Sequence, residues 1–289
     1  MNPAASTKPL PAFIRRPFVR LLLGLLAVML PVLAVQLSVS ALVLDRLVKS
    51  LLLALLTPPV AIWAYSTFVR LVENRPVVEL GTRGALKELG VGALVGALLL
   101  LIVVAILAIA GAFSIGGTGT AGAMLIPLFI AFAGAPFEEL VFRGVLFRII
   151  EQSLGSWLAL VISAVIFGGL HLINENATPF GAIAVMLQAG IMLGAAFMAT
   201  RRLWLPIGIH FAGNFMQSGI FGIAVSGNKA HDGLFNSSLT GHDLLTGGSF
   251  GVEGSIVTIA VSLALSIYFL WLARKRGNTV APAWRRFTT

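Results

Sequence analysis

Residues 89–137 read LGVGALVGALLLLIVVAILAIAGAFSIGGTGTAGAMLIPLFIAFAGAPF and contain no charged side chain. About 20 apolar residues cross the hydrocarbon core of a bilayer as a helix, so this stretch is too long for one span. Its centre, residues 111–122, is rich in glycine and threonine, which favours a connection between two helices. The stretch therefore predicts two consecutive membrane helices.

The composition of the whole chain agrees with a membrane protein. Of its 289 residues, 58% are hydrophobic and 11% are charged, whereas about 25% of the residues of a soluble domain are charged. This balance excludes a large soluble domain. The absence of cysteine also excludes a disulfide framework, a thiol nucleophile and a cysteine-bound zinc or iron–sulfur centre.

Uncharged runs between ionisable residues define the other spans, because an unpaired charge at the bilayer centre is costly. We predict an all-α, polytopic membrane helix bundle with about eight transmembrane helices. The predicted spans are residues 21–44, 50–69, 89–111, 122–150, 154–173, 179–200, 203–225 and 254–273. They form one membrane-embedded domain, 21–273, between a basic N-terminal segment, 1–20, and a basic tail, 274–289.

The distribution of basic residues predicts the orientation of the bundle. Sixteen of the 20 lysines and arginines fall on one side of the predicted spans, together with both termini. The other side has only Arg46, Lys49 and Lys229, and Arg143 lies within a span. Because cytoplasmic loops collect positive charge, we expect a multi-pass protein of the cell membrane with both termini in the cytoplasm. The charges flank spans and do not gather on one face, so no nucleic-acid partner is expected.

Polar segments outside the spans are predicted to have simple roles. The segment 226–253 is rich in glycine and serine, and we expect it to be a flexible connector. The basic tail is expected to contact anionic lipid.

Ionisable residues inside predicted spans are candidates for function, because they are expensive to keep there. The fourth span contains Glu138, Glu139 and Arg143. Residues four apart share a helix face, so Glu139 and Arg143 are predicted to form an ion pair. Glu138 points about 100° away and has no local cation in its apolar surroundings. It is therefore the carboxylate suited to proton transfer. The alternative interpretation is that these groups only hold helices together.

The fifth and seventh predicted spans add two polar faces. Phe167 and His171 share one helix face, and His210 shares another with Asn214. A carboxylate and an imidazole can activate water, while an imidazole and a carboxamide can stabilise an oxyanion, so these side chains suit peptide-bond hydrolysis. Two histidines and a glutamate can also bind zinc, although the His-Glu-x-x-His motif is absent. A third possibility is a non-enzymatic transporter or immunity protein that uses the same charges as a proton relay.

In order and spacing, the three motifs resemble those of the CPBP family of intramembrane proteases. This family includes the type II CAAX prenyl endopeptidases and the Abi-type bacteriocin-processing or immunity proteins. The motifs cover residues 138–214 and are Glu138-Glu139-x-x-x-Arg143, Phe167-x-x-x-His171 and His210-x-x-x-Asn214.

The resemblance implies an endopeptidase that acts on a membrane-associated peptide or protein in the lipid bilayer. By this resemblance Glu138 and His171 would activate water, and His210 with Asn214 would form the oxyanion site. The remaining motif residues, Glu139, Arg143 and Phe167, would support the site. We favour a mechanism without a cofactor, and the alternative is a zinc enzyme with Glu138, His171 and His210 as ligands.

One geometric difficulty accompanies this interpretation. At ~1.5 Å of rise per residue, His210 would lie ~10 Å, Glu138 ~18 Å and His171 ~26 Å from the cytoplasmic end of their spans. A single site requires these depths to converge. Helix tilt, a break at Gly168-Gly169 or a helix that starts at Pro136 would each bring the residues together.

Overall fold

A computed structural model describes residue 14 and residues 16–285, and it confirms the all-α polytopic bundle. Apart from one two-stranded sheet, the regular secondary structure of the described chain is helical. The α-helices are α1 (Pro17–Ala41), α2 (Arg46–Leu71), α3 (Ala85–Ile109), α4 (Leu125–Glu139), α5 (Arg148–Leu170), α6 (Pro179–Val185), α7 (Met192–Thr200), α8 (Trp204–Phe215), α9 (Asp243–Thr246) and α10 (Ile256–Lys275). The predicted N-terminal segment, 1–20, lies mostly outside the described residues.

Each predicted span is helical in the structure, but the spans differ in length. Six helices of the described chain are long and apolar enough to cross a membrane. One of them, Ala121–Ile173, contains two predicted spans, which are separated at Gly155. The predicted span 203–225 is a shorter helix that ends at Ile220.

Three segments with π-helical hydrogen bonding continue the α-helices, and the sequence pattern did not predict them. Leu140–Phe147 joins α4 to α5, Met186–Ile191 joins α6 to α7, and Met216–Ile220 extends α8. π-Helical turns are rare and occur often at functional sites. All three lie in helices that carry or contact the motif residues.

The predicted connection at 111–122 and the segment 226–253, which was predicted to be flexible, belong to one ordered structure. Strand β1 (Phe113–Thr118) pairs in antiparallel fashion with β2 (Phe235–Leu239). After β2, the chain forms α9 and two short 3₁₀ turns, where Phe250 and Val252 are buried. The strands were missed because they are short and polar, and because their partners are far apart in sequence.

The two ends of the bundle are distinct, and we name them by what lies there. The sheet end has β1, β2 and the segments 174–178 and 221–255, which hydrogen-bond to one another through Asn174, Asn176 and Gly227. The tail end has the loop 72–84, the turn 201–203 and the C-terminal segment 276–285. There Leu203 donates to the carbonyl of Glu79.

Part of the basic tail packs against the bundle, and its predicted contact with anionic lipid stays a prediction. Arg276 and Asn278 both donate to the carbonyl of Ala199 at the end of α7, each at 3.0 Å. Gly155 has a φ of 78°, and a side chain there would collide with the Val280 carbonyl. This glycine lets the chain turn between two spans while the tail covers the turn. Residues 286–289 lie outside the described residues.

Helix α8, which carries His210, is placed by close contact with α3. A Cβ atom on Gly96 would lie 2.3 Å from the Ile209 carbonyl oxygen, and one on Gly208 would lie 2.3 Å from the Leu89 carbonyl oxygen. Small residues allow membrane helices to approach backbone to backbone in this way. The contact fixes the position of α8 beside α3.

Candidate active site

The paired glutamates at the end of α4 face different surroundings, as the sequence predicts. The Glu139 side chain is completely buried, whereas 34% of the Glu138 side chain is exposed. Among the described residues, the Glu139 Oε2 atom is buried without a hydrogen-bond partner. Of the two carboxylates, Glu138 is therefore the one that water and a substrate can reach.

Arg143 makes the predicted ion pair and a second set of contacts that the sequence did not indicate. Its Nη1 atom lies 2.7 Å from Glu139 Oε1. Its Nη2 atom donates to the carbonyls of Ala189 and Gly190, both at 3.1 Å. These carbonyls belong to the π-helical segment Met186–Ile191. One buried guanidinium thus joins the motif helix to the sixth predicted span.

His210 contacts both glutamates of the first motif. Its Nδ1 atom lies 2.9 Å from Glu139 Oε1, and its Nε2 atom lies 3.8 Å from Glu138 Oε2. Because a carboxylate only accepts hydrogen bonds, Nδ1 is the donor to Glu139. Glu139 therefore has two partners, His210 and Arg143, where the sequence predicted Arg143 alone.

Phe167 is the side chain around which the motif residues gather. Its ring centroid lies 4.8 Å from the His171 ring, 6.2 Å from the His210 ring and 4.8 Å from the Arg143 guanidinium carbon. A cation over an aromatic face is attracted by the ring quadrupole. Phe167 is 1% exposed, so it separates these polar groups from the surrounding helices while holding them in place.

His171 lies at the end of α5, where a 3₁₀ turn begins. Its Nδ1 atom is 2.6 Å from the Phe167 carbonyl oxygen, which can only accept a hydrogen bond. A neutral ring with the proton on Nδ1 presents an unprotonated Nε2. This nitrogen can accept a proton from water.

The four predicted catalytic residues line one cavity of about 750 Å³. Helix α4 continues through Pro136, and α5 continues through Gly168 and Gly169, so neither of the expected breaks occurs. The depths therefore converge without either break. The residues that line it are Glu138, His171, His210 and Asn214.

Asn214 is the least constrained of these four. Its carboxamide makes no hydrogen bond to the described part of the chain, and it lines the cavity one turn beyond His210 on α8. A free amide on a cavity wall can donate to an oxygen of a bound substrate. This placement agrees with the predicted shared face of the two residues.

Glu253 also lines the cavity, and sequence reasoning missed it. Ser226 Oγ donates to Glu253 Oε2 at 2.5 Å. Burial raises the pKa of Glu253, while the Ser226 hydrogen bond and the charges of His171 and His210 act in the opposite direction. The only signal in the sequence was a lone acid just before the last predicted span.

The alternative prediction for the cavity residues is a zinc site. Among the described residues, no three His, Cys, Asp or Glu side chains are grouped so that they could hold a metal ion. The alternative zinc ligands Glu138, His171 and His210 share the cavity without forming such a group.

A second group of buried charges lies near the tail end, away from the cavity. Arg148 pairs with Glu73 at 2.7 Å, and Arg75 pairs with Glu79 at 2.7 Å. Burial alone would raise the pKa of Glu79, but hydrogen bonds from Arg75 and Tyr65 hold the pKa below its ordinary value. We call these five residues the closed cluster.

Comparison with known proteins identifies a family for the part of the chain that contains the motifs. Residues 120–216 match the family model described as Type II CAAX prenyl endopeptidase Rce1-like. No curated protein and no solved structure matches the chain. The family match confirms the resemblance drawn from the three motifs, all of which lie inside the matched range. It supports an intramembrane endopeptidase and, with the apolar helices, a multi-pass membrane protein.

Proposed function

We propose that this protein is an intramembrane endopeptidase that hydrolyses a peptide bond with water activated by Glu138 and His171. The observation that carries the proposal is the single cavity that Glu138, His171, His210 and Asn214 share. Its substrate would be a membrane-associated peptide or protein, as in the Rce1-like family.

In the proposed reaction, water sits between Glu138 and the carbonyl carbon of the scissile bond. Glu138 or His171 takes a proton from the water as its oxygen attacks the carbon. A tetrahedral oxyanion forms. His210, which would carry protons on both ring nitrogens beside the two glutamates, donates to it from Nε2, and the Asn214 amide donates a second hydrogen bond. Collapse of this intermediate breaks the C–N bond, and the proton held by the base passes to the leaving amine.

The remaining motif residues would hold these groups in position. Glu139 fixes the His210 ring through Nδ1, so Nε2 is the nitrogen on the side of Glu138. Arg143 offsets the buried charge of Glu139. Phe167 contacts both imidazoles. We expect these residues to act through the others and not on the substrate.

The proposal is tested with purified, detergent-solubilised protein and a quenched fluorescent peptide library. We expect Glu138→Gln to lower the cleavage rate by about 10²–10⁴-fold, because a general base is lost. His210→Ala should also abolish most of the activity. Glu88→Gln is the matched control, because Glu88 is a carboxylate that pairs with Arg202 and does not line the cavity, and this variant should cleave at the wild-type rate.

A strong chelator in a parallel series separates the two possible protease mechanisms. Cleavage that survives chelation and is lost in both site variants supports the proposed mechanism. Cleavage that is lost with chelator and restored by zinc would replace it with the zinc alternative. Full activity of well-folded Glu138→Gln would contradict both mechanisms, whereas no cleavage by the wild-type protein would favour a transporter or an immunity protein.

A further inference from the structure

The cavity reaches the protein surface at the sheet end. Polar and charged residues from three segments surround its opening, and several are exposed. Lys229 pairs with Glu175 across the opening at 3.2 Å, and Arg46 contacts the His231 ring. The residues at the opening are Arg46, Asn174, Glu175, Asn228, Lys229 and His231.

The tail end contributes nothing to the cavity. Of the residues that the structure describes, none from 72–84, 199–204 or 276–285 lines it. At that end, the side chains of the closed cluster pair with one another, and the tail is hydrogen-bonded to the bundle. A substrate that approaches from the tail end would therefore meet packed protein.

The opening has an ordered wall. Asn174 Nδ2 donates to the Ser226 carbonyl at 2.7 Å, and Ser226 Oγ donates to Glu253. Asn176 N donates to the Gly227 carbonyl at 2.8 Å. These bonds connect the end of α5 to the segment that precedes α10. The polar opening is thus a defined part of the fold.

The charge distribution relates this opening to the two sides of the membrane. By their places in the sequence, 16 of the 20 lysines and arginines belong to the side of the predicted spans that has both termini. Arg46, Lys49 and Lys229 are at the opposite end, and two of these three line the cavity opening. Because positive charge collects on the cytoplasmic side, the sheet end faces away from the cytoplasm.

We infer that the cavity opens to the extracytoplasmic side and takes a hydrated peptide segment from that side of the membrane. The inference rests on the proposed endopeptidase function for the cleavage itself, but the side of access rests only on the cavity and the charges. The polar opening suits an extended segment in water next to the membrane. The substrate would be an exported peptide or the extracytoplasmic end of a membrane protein.

Cysteine labelling tests the side of access without requiring activity. The natural chain has no cysteine, so single-cysteine variants need no further changes. Glu175→Cys places a thiol at the opening, and Lys87→Cys places one on an exposed residue near the tail end. Gly213→Cys places one inside the cavity, where a Cβ atom would meet no atom within 4 Å.

Intact cells are treated with a membrane-impermeant maleimide or, for Gly213→Cys, a small charged methanethiosulfonate. We expect labelling at positions 175 and 213 to be as complete as after permeabilisation. Labelling at position 87 should be absent until the cells are permeabilised. Denatured protein must label at all three positions, which shows that each variant is present.

The reverse pattern, with only position 87 labelled in intact cells, would overturn the inference. Labelling at 175 without labelling at 213 would also overturn it, because the cavity would not be continuous with the extracytoplasmic side. A cleavable peptide from the library assay, fused to either end of a single membrane helix, adds a second readout. Cleavage of only the cytoplasmic fusion contradicts the inference, whereas failure of the detergent assay contradicts the proposed function alone.

Discussion

The closed cluster and the charged residues beside the cavity both combine carboxylates with arginines, but they differ in what surrounds them. In the closed cluster, two glutamates face two arginines, and Tyr65 donates to Glu79. In the cavity cluster, formed by Glu138, Glu139, Arg143 and His210, two glutamates face one arginine. The balance there depends on His210, and Glu138 borders open space. Buried charge alone therefore does not distinguish the proposed site, whereas incomplete pairing beside a cavity does.

Both clusters contact the π-helical segment Leu140–Phe147, each through a different residue. Arg143 points to the cavity cluster, while the carbonyl of the next residue, Gly144, accepts from Tyr65 at 3.1 Å and from Arg148 at 2.8 Å. The closed cluster thus fixes the backbone on which the motif arginine stands. The comparison implies one cluster for position and one for chemistry.

The strongest test of this division is to remove one arginine from each cluster. Arg143→Met leaves Glu139 short of a cation and two carbonyls without a donor, and breaking a buried pair costs about 3–5 kcal/mol. We expect a large fall in melting temperature, measured by tryptophan fluorescence, and complete loss of peptide cleavage. Arg148→Met should lower stability similarly, but any folded fraction should still cleave. Equal loss of specific activity in the two folded variants would contradict the assignment of separate roles to the two clusters.

A smaller change acts on chemistry alone. Asn214→Ala removes a donor that makes no bond within the described chain, so we expect the melting temperature to stay unchanged. The turnover number should fall by about 10²–10³-fold, as when one oxyanion donor is removed. Steady-state kinetics on the best library peptide measures this. A change in KM with the turnover number intact would assign Asn214 to substrate binding instead.

Tyr65→Phe is expected to have a modest effect in the closed cluster. The acceptors of Tyr65 both keep another donor, because Arg75 still binds Glu79 and Arg148 still binds the Gly144 carbonyl. Loss of a hydrogen bond of this kind costs about 0.5–1.5 kcal/mol. Thermal melting should detect the loss, with cleavage unchanged. A large loss of activity would show that the closed cluster takes part in the reaction.

The smallest expected effect is a dependence on pH. Because its pKa is lowered in the folded protein, Glu79 contributes stability above its ordinary pKa, and that contribution disappears as pH falls through the lowered value. The gap in melting temperature between wild type and Glu79→Gln should therefore be largest near neutral pH and narrow in acid. A gap that widens on acidification would reverse the assigned direction of the shift.

The sequence predicted what depends on short separations along the chain. Uncharged runs located the helices, and a spacing of four predicted the pair of Glu139 and Arg143. The same spacing placed Phe167 beside His171 and put Asn214 on the cavity face of α8 with His210. These relations follow from helix geometry, which neighbouring residues specify.

What the sequence did not predict depends on contacts between distant segments. The bond of His210 to Glu139 and the bonds of Arg143 to the carbonyls of 189 and 190 join different helices. Glu253 reaches the cavity only because its segment folds over the end of α5. Changes from α to π hydrogen bonding also leave no clear periodic signal, so the free carbonyls could not be placed in advance.

The glycine contact between α3 and α8 also limits the routes by which a lipid chain attached to a substrate could reach the site. Carbonyls and Cα atoms of the two helices meet at Gly92, Gly96 and Gly208. Gly208 is only two residues from His210. Such a seam has no room for an acyl or isoprenoid chain sliding in from the bilayer plane. A lipid-modified substrate would have to pass between other helices.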